Sequence, residues 1–145
     1  MAVLADNLTT VTVVDSDLLA RIPSLDQRYL PPGAADFSPQ IATGLEDALV
    51  RFESMTGRDP VWCLAVRAEA WKAIVVLSTL LVLLRASTDE RSMQLAAGYE
   101  TELATRFKLF RYQWDADQSG SIDDLVDAGG ADEGGARAGE IELWR

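Results

Sequence analysis

Residues 73–84 read Ala-Ile-Val-Val-Leu-Ser-Thr-Leu-Leu-Val-Leu-Leu, 12 residues without a charge between Lys72 and Arg85. A membrane-spanning helix needs about 20 apolar residues, so the run is too short to cross a bilayer and predicts a helix packed inside protein. Its only polar members are Ser78 and Thr79. A helix that is apolar all round must be covered on every side. A chain of 145 residues is long enough for a single core, but it has few other helices to cover this one. The expectation is therefore that Val76, Leu80 and Leu83 form a protein interface, buried partly by other chains.

Start and stop signals place the remaining helices. Asp59-Pro60 predicts that the apolar run belongs to a helix over 60–85, with Arg67, Glu69 and Lys72 on an exposed first half. Ser38-Pro39 predicts a helix over 38–56. Ile41, Leu45, Ala48, Leu49 and Phe52 recur along it at steps of three or four residues, and Gly57 closes it. Thr88-Asp89 caps a helix reaching about Tyr112, with a core stripe of Met93, Ala96, Tyr99, Leu103, Phe107 and Phe110. Residues 8–14, rich in Thr and Val, read as extended. Asp15 is expected to cap a short helix over 16–21, and residues 23–37 to form a loop. The fold class is mainly α: a small bundle of about four helices, with an extended N-terminal segment and an acidic, Gly-rich C-terminal arm. The divisions are a helical domain over 1–114, an acidic loop over 115–127 and an extended arm over 128–145.

Composition narrows the function. The chain has no histidine, which excludes a Ser-His-Asp triad and a His-ligated metal centre. It also removes the usual activator of Cys63, the single cysteine. Cys63 forms no internal disulfide and reads as a small buried hydrophobe. No Gly-rich phosphate loop occurs. The formal net charge is -10 and the basic residues are scattered singly, which speaks against nucleic-acid binding and against any sequence-specific readout. Carboxylate-pair hydrolysis stays open on sequence alone, although most Asp and Glu lie on helix faces or in the Gly-rich tail, as a solvated surface requires. The first residues lack the basic and apolar regions of a signal peptide. The reading is a non-enzymatic protein that works by binding other subunits, with no membrane partner.

One stretch carries ligand chemistry. Asp115, Asp117, Ser119, Ser121 and Asp123 stand at positions 1, 3, 5, 7 and 9 of an EF-hand calcium loop, with Gly120 at the turn and Ile122 at the inward apolar position. Oxygens at that spacing converge on a hard cation. Position 12 is Val126 where a bidentate Glu belongs, so the match is half an EF-hand, entered by a helix. Ca²⁺, or less readily Mg²⁺, is the candidate ligand. The other reading is an acidic turn in which Asp117 and Ser119 bond their own backbone. Beyond it, Ile141, Leu143 and Trp144 alternate with Glu142 and Arg145. That pattern suits an anchor docking on another chain.

The layout resembles the small head-to-tail connector proteins of tailed bacteriophages, also called adaptor or head-completion proteins, over residues 8–127. The shared features are the Thr/Val opening and Asp15-Ser-Asp-Leu-Leu19, the capped helix at Ser38-Pro39, and the long apolar helix. They continue with a last helix carrying Ala97-Gly-Tyr-Glu-Thr-Glu-Leu103 and an Asp-rich turn from Asp115 to Asp123. The resemblance implies a homo-oligomeric ring, commonly a dodecamer. Such a ring sits in the virion at the capsid–tail junction after synthesis in the host bacterial cytoplasm. It contacts the portal protein and the next neck or tail protein, and DNA passes through it. The alternative from the residues is a small calcium-binding, EF-hand-like interaction module.

Overall fold

In the computed structural model the structure describes residues 6–115, residue 118 and, as backbone, residues 124–127. The described chain is mainly helical. Its α-helices are α1 (Asp15–Leu19), α2 (Leu25–Tyr29), α3 (Ser38–Thr56), α4 (Ala68–Arg85) and α5 (Glu90–Leu109). The strands are β1 (Cys63–Ala65), β2 (Arg111–Trp114) and β3 (Asp124–Asp127), in one antiparallel sheet of order β1-β2-β3.

Several expected boundaries hold because the local chemistry is unambiguous. Gly57 closes α3 in the left-handed region, at φ 72°, and its N–H reaches the Glu53 carbonyl. The Asp89 carboxylate caps α5 by accepting the Ser92 N–H at 2.8 Å. Others move. Asp59 and Pro60 start only a single 3₁₀ turn, Pro60–Trp62, in which Asp59 accepts the Val61 N–H. The chain then extends through β1, where Cys63 pairs with Trp114 and Ala65 with Tyr112. The apolar helix therefore begins at Ala68, because a strand partner claims the backbone of 63–65 before a helix can propagate. Likewise α5 ends at Leu109, and residues 111–114 belong to β2. Residues 8–10 form a 3₁₀ turn, since the Asn7 side chain accepts the Thr9 N–H at 2.8 Å. Asp15 is the first residue of α1, not its cap, and its carboxylate accepts the Phe37 N–H at 3.2 Å. The expected loop 23–37 contains α2, which buries Leu25.

The central helix is α4, and it is covered within one chain. Val76, Leu80 and Leu83 are 7%, 0% and 4% exposed in the isolated chain. The expectation that other chains complete their burial is corrected: they are core residues. Three layers supply the cover. α3 packs on one side, and Gly44 lets its backbone approach so closely that an added Cβ there lies 2.7 Å from the Thr79 backbone. α5 packs on another side through Leu103 and Phe107. The N-terminal segment closes the remaining side with Leu8, Val13, Leu18 and Leu25, all buried. That wrap is fastened at each end. The Trp71 indole N–H donates to the Leu8 carbonyl at 2.8 Å, Arg21 pairs with Glu102, and the Tyr29 and Ser92 hydroxyls are hydrogen-bonded.

Between the helices and the sheet lies an aromatic cluster. Phe52 meets Tyr112 edge to face with centroids 5.0 Å apart, and Trp71 lies 5.3 Å from Phe110. These rings fix β2 to the helical core. Among the described residues no helix is long and apolar enough to cross a membrane.

Candidate assembly surfaces

The hairpin end is built from β2 upward. The Arg58 guanidinium follows α3, lies 3.8 Å from the Trp114 ring centroid and donates to the Tyr112 hydroxyl at 3.0 Å. Stacking a planar cation on an indole is favourable because the ring face is electron-rich. The contact locks β2 in place just before Asp115. Asp115 is fully buried, and its N–H donates to the Trp62 carbonyl at 2.9 Å. Gln118 then turns through the left-handed region at φ 57° and donates its N–H to the Asp115 carbonyl at 3.3 Å. In β3, Asp127 pairs with Arg111 and Val126 with Tyr112.

This corrects one part of the calcium-loop reading. The chain enters Asp115 from a β-strand, not a helix, and residues 116–123 join two antiparallel strands. Asp117, Ser119, Ser121 and Asp123 lie outside the described residues. So do Ile141, Leu143 and Trp144. Among the described residues no group of three His, Cys, Asp or Glu is placed to hold a metal ion.

A surface that the sequence pattern did not reveal lies where α3 and α5 diverge over α4. The cleft holds about 540 Å³ and has Ser78, Leu81 and Leu103 on its floor. Its rim carries Glu46, Asp47, Val50, Arg51, Arg85 and Glu100. Arg51 Nη1 lies 3.0 Å from Glu100 Oε1, and Arg85 pairs with the other oxygen of the same carboxylate. The Arg51 guanidinium also sits 5.1 Å from the Phe107 ring centroid. Val50 is 62% exposed beside them. Val50 and Arg51 fall off the Ile41–Leu45–Ala48 stripe. That placement signals a surface but not a cleft, because Arg85 and Glu100 meet only through the fold.

A second charge network joins α1 to α5. Glu102 accepts two hydrogen bonds from Arg21, at 2.9 and 2.7 Å, and one from Arg106 at 2.9 Å. These donors, Arg21 foremost, hold the Glu102 carboxyl down at about 2. Cys63 is opposite in character. Burial pushes its thiol up to about 12, so it stays neutral and unreactive at ordinary pH. What these surfaces offer is contact area and paired charge.

No family model, no curated protein and no solved structure matches this chain.

Proposed function

We propose that the chain is a structural adaptor, one subunit of an oligomeric ring at the head-to-tail junction of a tailed bacteriophage. The ring stands between the portal protein and the next neck or tail protein, and DNA passes through it. The observation that supports this most is the order in which the parts stand. A helical bundle buries its most apolar helix within one chain, and the acidic segment follows in sequence, after the paired strands β2 and β3. A subunit that folds before it assembles needs a closed core, and attachment to neighbours needs a separate segment. The charge suits the task too, since a channel wall carrying net negative charge does not hold the DNA that moves through it.

The calcium-module alternative has less support, because β2 stands where an EF-hand needs its incoming helix. The adaptor reading is tested by mixing the purified chain with the portal ring of the same virus and sedimenting the mixture. The expected result is co-sedimentation in a fixed stoichiometry. A chain that stays at the top of the gradient, with intact portal rings below it, overturns the reading.

A further inference from the structure

The cleft between α3 and α5 is bipolar. At one end Arg51 and Arg85 share the single carboxylate of Glu100, leaving that end with surplus positive charge. One turn earlier on α3, Glu46 and Asp47 make the other end negative. Between the ends the exposed Val50 overhangs a floor of Leu81 and Leu103. Residues 141–145 carry the matching pattern. Leu143 and Trp144 stand together, with Glu142 on one side and Arg145 on the other. Trp is a frequent anchor of interfaces because it buries a large rigid surface.

The chain also reaches. Asp127 sits opposite Arg111, just past the end of α5. Leu103 lies six residues before Leu109, about 9 Å along the helix at a rise of about 1.5 Å per residue. The 13 residues 128–140 extend to at most about 45 Å.

We propose that this cleft receives residues 141–145 of a neighbouring copy, with Trp144 seated against Val50 over Leu81 and Leu103. Glu142 then faces Arg51 and Arg85, and Arg145 faces Glu46 and Asp47. The assignment rests on the adaptor reading, since a contact of unlike surfaces repeats from copy to copy and, where its rotation closes, forms a ring.

The test uses a labelled synthetic peptide of residues 138–145 and a chain cut after residue 137, which keeps the described fold because none of it lies beyond residue 127. Fluorescence anisotropy should show saturable binding. Trp144→Ala in the peptide, or Val50→Glu in the chain, should weaken it by about tenfold or more. Val50 is exposed, so its replacement leaves the fold intact, which circular dichroism verifies. Absence of binding at millimolar peptide overturns the proposal, as does equal binding to Val50→Glu. Binding to the cut chain but not to the full chain at concentrations where the full chain is monomeric places the segment in its own cleft, and overturns the assignment to a neighbour. Rings that form without peptide binding sink the cleft assignment alone. Peptide binding without rings or portal attachment sinks the adaptor reading alone.

Discussion

Gly44 is the residue on which the helix packing turns. Its backbone lies so close to Thr79 that an added methyl would press on the Cα and N of Thr79 at 2.7 Å. Backbone atoms cannot swing aside as a side chain does. Gly44→Ala is expected to destabilise the fold by roughly 1–3 kcal/mol, the scale of overpacking in a well-filled core. This outweighs the gain of up to about 1 kcal/mol in helix propensity. Urea denaturation measures the loss. Thr79→Ala added to Gly44→Ala should restore only part of it, because the contact with the Thr79 backbone remains. Glu102 is one of the residues that couple the fold to pH. Its folded value of about 2 lies below the ordinary 4.5, so the unfolded chain binds the proton first. The stabilisation is present above about 4.5 and is lost as the pH falls toward 2. In Arg21→Met the carboxyl loses its main donor. That variant should lose less stability than the parent across this window, as thermal melts at stepped pH will show. The pair is partly exposed, so its contribution is small in absolute terms.

At the scale of elements, α4 is held by its own chain. Leu80 is fully buried, and Leu80→Ala should cost about 2–5 kcal/mol through lost burial and the cavity left behind. Because α3, α5 and the N-terminal wrap supply the cover, this loss should be the same in dilute monomer as in any assembly. A cost that appears only at concentrations where the chain associates would restore the interface reading of Leu80. Elements with a local signal were legible in the sequence. Asp89 caps α5, Gly57 stops α3, and the apolar run 73–84 sits inside α4. Elements whose reason is tertiary were not. Residues 63–65 carry apolar side chains that suit a helix, and only pairing with 111–114 makes them a strand. The N-terminal wrap reads in sequence as an extended stretch, a short helix and a loop, because nothing local shows that the Leu8 carbonyl meets Trp71. The cleft was hidden for the same reason, since its charged rim joins residues from three helices. The hairpin also bears on calcium. With β2 replacing the incoming helix, millimolar Ca²⁺ is expected to leave the melting temperature unchanged. A rise with Ca²⁺ that EDTA reverses would reinstate the ion site.

As a whole molecule, the chain divides its labour along its length. Residues 6–115 make a closed core with the N-terminal segment tied to α4 and α5, and the remaining residues carry most of the net negative charge. Residues 116–145 hold 8 acidic and 2 basic residues, against 15 and 11 in 6–115. A core closed within one chain, followed by an acidic segment, is what the proposed adaptor needs in order to fold first and attach second. Self-repulsion between such segments opposes random aggregation, so association should require a specific seat. The proposed adaptor role requires that copies of this chain form a ring around a channel. Electron microscopy of the purified full-length chain, alone and on portal rings of the same virus, tests it most directly. Closed rings of uniform subunit number with a central channel are expected, coaxial with the portal where portal is present. Single particles of monomer size in both samples, with the portal rings left bare, would contradict it.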